Sequence, residues 1–426
     1  MNRYQDIVGR INYGLFLSVI ALLPFPQTPL RFTCVLWIIT WFLEGRWLQK
    51  TNYQRPTTNY QRPTTNYQLP FILFGLWFLG KIVSGLWAPD QTAWSWQIER
   101  YLAFGLMVPI GIWGVNKYYR WETAGKVLVA TCVAAVPLYL VWLLALYHHP
   151  QWTEWMPLTE PWVHHTDIRV FIAENISHFK HRLFLCSVEL TGAVVACLLY
   201  GRRWKVLLPV LAVMLSAIPL TGSRQAILTT IALLAVAILY ALPKRHRWIY
   251  TIGIVLTGLL IGFGMMKYHP RMQHVTFKDI SEARQLSYDH DIRLNIWGAA
   301  LQHPSDYIAH GLGAGQSANY LGERYEDVHF DYYAAKKFHA HNQYLEELME
   351  LGIGGLILFL LAWISIPLCT KKGKLFALLF TTLFAFNMFT DCMFGKFDGI
   401  ALWAVGMLLL FLQSDAQSDE QSPRDA

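Results

Sequence analysis

Charge is scarce in this chain: Asp, Glu, Lys and Arg make up 15% of its 426 residues, well below the share usual in water-soluble domains. Apolar residues do not alternate with period 2 or fall into 3.6-residue stripes, which excludes a half-buried soluble sheet or an amphipathic soluble bundle. The six cysteines, at 34, 132, 186, 197, 369 and 392, all lie in or beside apolar runs. A disulfide framework stapling the hydrophilic loops is therefore excluded. No small-x-small cleavage site follows the first apolar run, which ends in "PFPQTP", so that run is expected to stay as an anchor.

What the chain has instead is long hydrophobic runs, with 54% of its residues hydrophobic. A span of hydrocarbon needs roughly 20 mainly apolar residues. Twelve segments qualify, near 10–26, 30–46, 70–88, 101–116, 125–147, 184–200, 205–221, 225–242, 248–266, 350–368, 375–391 and 399–413. The expected fold is an all-α polytopic membrane protein. Residues 1–266 carry spans one to nine with a loop near 148–183, 267–349 form a long, partly helical loop, 350–413 carry spans ten to twelve, and 414–426 form a disordered tail.

Lys and Arg set orientation, because they are retained on the cytoplasmic side. With both termini inside, 19 of them fall in inner segments such as "RWLQK", "GRRWK", "KRHR" and "KKGK", against four (Arg31, Arg100, Arg224, Lys396) in short outer loops. The net charge of +7 is thus a topology signal and not a sign of nucleic-acid binding. Of 15 histidines only His246 falls inside, so the chemistry is expected to face outward. In the inner loop 51–70 a seven-residue unit, TNYQRPT, is repeated; its polar, proline-containing composition cannot bury a core, and it reads as a tolerated surface duplication.

The residues able to carry chemistry cluster around the outer loop. Arg224 in "LTGSRQAI" has almost no loop around it and must either snorkel at the surface or dip into a cavity, where it would need a partner. Arg293 in "HDIRLNIWGAAL" is a solvated surface arginine unless it meets Arg224 at one site. His341 opens the helix that becomes span ten, and Asn342 follows it. Free amide hydrogens and the positive dipole end disfavour imidazolium there, leaving a neutral imidazole able to accept a proton, while Asn342 could orient the ring or a sugar hydroxyl. A lone histidine there would more often be structural.

A metal site built on His339 and His341, with His329 and Asp331 nearby, has the right ligand types. An i, i+2 pair converges only in an extended strand, however, and the sequence from Asn342 reads as helix, so no metal is expected. The "GLGAGQSANYLG" run lacks the preceding strand and Lys-Ser/Thr ending of a phosphate loop; it reads as a turn admitting close backbone approach. Within the spans, Lys81 could snorkel and Glu189 could pair with a hydroxyl or a base, although intramembrane charge is a functional hypothesis by default. Asp391, ending span eleven, could orient a histidine or arginine.

Three segments, in order, resemble the O-antigen ligase and polymerase superfamily: "TGSRQA", "RLNIWGAALQHPSDYIAHGLGAG", and "HNQYLEELMELGIGG". The last fits a pattern of His-Asn, nine residues, then Gly-x-x-Gly, with His341, Asn342, Gly352 and Gly355 in register. The resemblance covers roughly 205–400. It implies His341 as the essential histidine, acting as general base, and Arg224 and Arg293 as the essential arginines on a pyrophosphate. His339, Asn342, Asp391 and Arg182 are further substrate-binding candidates, with Lys180 and His181 beside Arg182.

The implied activity is transfer of a glycan from an undecaprenyl-pyrophosphate carrier to a sugar hydroxyl of lipid A–core, on the periplasmic face of a bacterial inner membrane, with membrane lipids around the site. Pyrophosphate is already a good leaving group and arginine forks onto its oxygens, so neither a cofactor nor a nucleotide is implied. A polymerase extending the glycan on its own carrier is the near rival. A transporter or flippase is the distant one, disfavoured because no internal repeat of spans is evident and polar groups concentrate on one face.

Overall fold

The computed structural model describes residues 3–45, 65–155, 166–241, 245, 247–268, 292–327, 334 and 338–419. Among them the regular structure is helical, without a β-strand. The helices are α1 (Arg3–Leu22), α2 (Gln27–Leu43), α3 (Thr65–Val83), α4 (Gln91–Trp113), α5 (Trp121–His148), α6 (Ile168–Asn175), α7 (Arg182–Tyr200) and α8 (Trp204–Leu215), followed by the short α9 (Ala217–Thr221), α10 (Arg224–Ala241) and α11 (Arg247–Tyr268). The outer-loop helices α12 (Ile292–Ala300) and α13 (Ser317–Asp327) precede α14 (Gln343–Cys369), α15 (Lys374–Thr390) and α16 (Phe397–Asp419).

Each of the twelve apolar runs overlaps a helix, the run at 205–221 being divided between α8 and α9. Among the described residues seven helical segments are long and apolar enough to cross a membrane, and α15 is apolar but shorter. The run from Phe397 to Ser414 is 94% buried, which makes α16 the central helix. Around it pack aromatic rings from α3, α4 and α14: Phe74 against Trp403 at 4.9 Å, Phe104 against Trp403 at 4.4 Å, and Trp363 stacked on Phe394 at 6.2 Å. Small-residue interfaces are not needed where such rings interdigitate, since packing contacts supply the attraction in an apolar medium.

α3 and α14 are joined by buried charge. Lys81 Nζ lies 2.5 Å from Glu350 and 2.7 Å from Glu347, with all three side chains at 0% exposure. Glu347 also accepts from the Trp77 indole N–H at 2.8 Å and from the Gln343 amide at 2.7 Å, and Glu350 from the Gly315 amide at 2.7 Å. Lys81 therefore does not snorkel; its partner Glu350 lies 269 residues away in sequence. Glu189 behaves oppositely. Both its oxygens are buried without a hydrogen-bond partner among the described residues, so the expected pairing is not seen.

α14 is broken at Gly352, whose φ of 67° and ψ of −168° belong to a region open essentially to glycine alone. The break frees backbone groups that the outer loop satisfies. Leu312 and Gly313 amides donate to the carbonyls of Met349 (2.8 Å) and Glu350 (3.0 Å), and the Ile353 amide donates to Ile308 (2.8 Å). A Cβ on Gly311 would stand 2.3 Å from the Glu350 carbonyl oxygen. The two glycine motifs of the sequence thus meet each other, and irregular backbone at the membrane is tolerated because it is buried in protein.

Several boundaries differ from expectation. The helix that carries apolar run ten begins at Gln343, about two turns ahead of that run and two residues after His341, where it was expected to open, because Asn342 caps it. The tail expected to be disordered from 414 continues as helix to Asp419, and 420–426 lie outside the described residues. The expected outer cap is helical over α12 and α13, while 269–291, His329 and Asp331 lie outside the described residues, as do 46–64 with most of the TNYQRPT repeats.

Candidate active site

The site is built at the start of α14. Asn342 adopts an extended backbone and its Oδ1 accepts the Leu345 amide at 3.1 Å, a standard N-cap. Its side-chain oxygen therefore holds the helix start. The preceding residue, His341, has a φ of 46°, a left-handed conformation uncommon for a residue with a Cβ and found where surrounding structure enforces it. The consequence is a sharp turn that folds His341 onto His339. Their ring centroids lie 4.1 Å apart, and the His341 amide donates to His339 Nδ1 at 3.1 Å.

This geometry corrects the spacing argument against convergence: an i, i+2 pair can meet outside a strand when the second residue is left-handed. Because His339 Nδ1 accepts a backbone N–H, its proton sits on Nε2. Burial, then the nearby charges of His341, Lys396 and Arg100, outweigh the attraction of Asp391 and push its pKa down to about 4, so this ring is neutral at pH 7.

His341 Nδ1 lies 3.3 Å from Asp391 Oδ1. Asp391 ends α15 in an extended conformation, its amide bonded to Asn387 at 3.1 Å and its Oδ1 accepting the Cys392 amide at 2.8 Å. Burial works to raise the Asp391 carboxyl, but contact with His341 and the charges of His341, His339 and His181 prevail and hold it well below the usual carboxylate range. An ionised Asp391 fixes the His341 proton on Nδ1. Nε2 is then the lone-pair nitrogen, and it is buried with no hydrogen-bond partner among the described residues. A histidine oriented by a carboxylate through one nitrogen and unpartnered at the other is the arrangement of a general base.

The helices that carry the two arginines contact the base loop and α15 through neighbouring residues. α12 docks on the base loop, its Trp297 indole donating to the Ala340 carbonyl at 2.9 Å and its ring lying 5.4 Å from Phe389 near the end of α15. Arg293 is half-buried one helical turn before Trp297, on the same helix face. Arg224 is the exposed first residue of α10, beside Gln225, whose amide donates to the Asn387 carbonyl (3.0 Å) and Oδ1 (2.9 Å). Asn387 Nδ2 in turn donates to Ser187 of α7 at 2.8 Å, and α7 begins at the half-buried Arg182.

One turn below Asp391, Asn387 therefore ties together the helices whose outer ends carry Arg182 and Arg224. Lys180 is held elsewhere: its ammonium lies 2.5 Å from Asp398, while His181 is close enough to Asp391 to influence it. Sequence reasoning passed over Arg100, Lys396, Asn387 and Cys392. The first two stood among the four basic residues of the short outer loops, and the cationic surroundings of His339 are where they act.

Ligand-type atoms of His339, His341 and Asp391 lie within 4.8 Å of one another, as do those of His339, Glu346 and Cys392. The donor set suits a cation poorly all the same. His339 Nδ1 and Asp391 Oδ1 already accept backbone N–H groups, and the charges of Arg100, Lys396 and His181 reach this cluster. Such surroundings favour an anion beside a base.

Residues 190–360 match the family model described as O-Antigen ligase, and no curated protein matches the chain. The matched segment contains Arg224, Arg293, His339, His341 and Asn342, and leaves Arg182, Lys81 and Asp391 outside it.

Proposed function

We propose that this chain, which through residues 190–360 belongs to the O-antigen ligase and polymerase family, transfers a glycan from undecaprenyl pyrophosphate to a sugar hydroxyl of lipid A–core, with His341 as general base. The observation that carries the reading is the state of His341: Nδ1 on Asp391 and Nε2 buried and unpartnered. The acceptor hydroxyl would sit against Nε2, and its oxygen would attack the anomeric carbon of the donor. The proton passes to Nε2, the bond from the anomeric carbon to the pyrophosphate oxygen breaks, and undecaprenyl pyrophosphate leaves with the electron pair. Direct displacement inverts the anomeric centre.

Arg224 and Arg293 act as the clamp for the departing charge. Arg182 and the neutral His339, whose Nε2 carries a proton, add further donors to the substrate. We place the site on the periplasmic face of the inner membrane, both termini inside, from the distribution of Lys and Arg. The reaction needs no metal on this reading. The outer loop does contain one Asp-x-Asp triplet, Asp289-His290-Asp291, outside the described residues, so the metal-free reading rests on the cationic surroundings and on chelation as its test.

Ligase is favoured over polymerase by the His-Asn, nine-residue, Gly-x-x-Gly register. Purified protein in proteoliposomes with the lipid-linked glycan and lipid A–core separates the readings. Glycan on the core supports ligase, a longer glycan on its own carrier supports polymerase, and no transfer with movement of the donor across the bilayer supports a transporter.

A further inference from the structure

The contact between His341 and Asp391 joins segments far apart in sequence, and something must hold their backbones in register. Glu346, in the first turn of α14, is buried. Its Oε2 accepts the amide of Ala340 at 3.3 Å and the thiol of Cys392 at 3.7 Å, and its Oε1 accepts the Ser317 hydroxyl in a short hydrogen bond. Ala340 directly precedes His341, and Cys392 directly follows Asp391. One carboxylate thus touches the neighbour of the base and the neighbour of its orienting partner. Burial and the carboxylates of Glu346 and Asp391 push the Cys392 thiol up, so it remains a donor.

We infer that Glu346 is a positioning residue for the transfer reaction, clamping the His341 and Asp391 segments together through Ala340 and Cys392. The inference rests on the base assignment made above. Gln343 supports the same junction by accepting the Phe394 amide at 2.9 Å, but it reaches only the far end of the 391–394 turn. The third arm, to Ser317, ties the start of α13 to the same carboxylate, so the outer loop is seated on the base loop by one group. Two donors, the Ala340 amide and the Cys392 thiol, share one oxygen of Glu346, and the Ser317 hydroxyl takes the other. Glutamine can keep its one oxygen on the first two and donate its N–H₂ to the Ser317 oxygen, but a neutral acceptor holds them about half as strongly as a carboxylate; leucine would leave all three unmet in a buried place. The positive end of the α14 dipole favours the anion at this position.

The test compares Glu346→Gln, Asp391→Asn and the double variant in the proteoliposome transfer assay. Glu346→Gln is expected to lower kcat by about 10- to 100-fold while KM for donor and acceptor stays within about threefold, the signature of an interaction realised in the transition state. In the Asp391→Asn background the further loss should be under about threefold, because the clamp then has no dyad left to hold. Full multiplication of the two losses, or a raised KM with kcat retained, would overturn the inference.

Should Glu346→Gln fail to fold, Cys392→Ala cuts the clamp from the other side. Its kcat should fall up to about tenfold in the wild-type background and not in Asp391→Asn, and an unchanged kcat would count against the clamp. Hydrogen exchange, which needs no turnover, gives an independent reading. Segments 338–342 and 391–394 should lose protection together in Glu346→Gln, and protection retained in both would refute the clamp. A wild type that transfers nothing would overturn the base assignment, and the exchange measurement would still decide what Glu346 holds.

Discussion

Replacing Lys81 by methionine isolates the buried charge between α3 and α14. The ammonium is fully enclosed, 2.5 Å from Glu350 and 2.7 Å from Glu347, and Glu346 lies one turn away on the same helix. Two carboxylates share this lysine directly, so its removal leaves them with only neutral donors. Each contact supplies about 6–7 kcal/mol of gross attraction at an effective dielectric near 20, much of it offset by dehydration of the ammonium. Breaking a buried pair from one side costs about 3–5 kcal/mol, because the stranded charge stays buried. Methionine matches the stem of lysine in length, so cavity formation adds little.

The assay is reversible unfolding in mixed micelles as the fraction of denaturing detergent is raised. Lys81→Met should lose about 3–5 kcal/mol, and adding Glu350→Gln should recover part of that loss by removing one stranded charge. A loss below about 1 kcal/mol, the level of an exposed pair, or no recovery in the double variant, would refute the account of this network.

Asp391→Asn removes the group that fixes the His341 proton on Nδ1 and should lower kcat about 10²- to 10³-fold, with donor binding, measured by equilibrium titration, little changed. Gly352→Ala introduces a Cβ where φ is 67° and the Ala309 carbonyl oxygen would lie 2.8 Å away; it should cost about 1–3 kcal/mol in the same unfolding assay. His339, with a folded pKa near 4 against 6.5 unfolded, binds fewer protons folded than unfolded between those values. Its contribution is therefore fully present above pH 6.5 and lost as pH falls toward 4, about 3 kcal/mol in all, and unfolding midpoints measured from pH 7 to 4.5 should decline less in His339→Asn.

The helices were legible because lipid demands unbroken apolar runs, and helices do end at Gly222 and at Asp391. Asp391 was readable as an orienting carboxylate from its place at a helix end, and the contact is present. The pairing of His339 with His341 was not readable, since it depends on one left-handed residue that periodicity does not reveal. Lys81 misled for a different reason: snorkelling is a local property, whereas its partner Glu350 lies 269 residues on. Glu346 and Glu350 drew no reading from the sequence, and only the fold shows that they face Ala340, Ser317, Cys392 and Lys81. Asn342 was legible only as a group that could orient the ring or a sugar hydroxyl; its role as the cap of α14 depends on the extended backbone before the helix, which the sequence pattern did not reveal.

The most direct measurement is glycan transfer to lipid A–core by purified wild type and His341→Ala, both in EDTA. Transfer by the wild type with loss of about 10²- to 10⁴-fold in the variant, the range for a general base, is the predicted result. Transfer that survives in His341→Ala, or that EDTA abolishes in the wild type, would contradict the account.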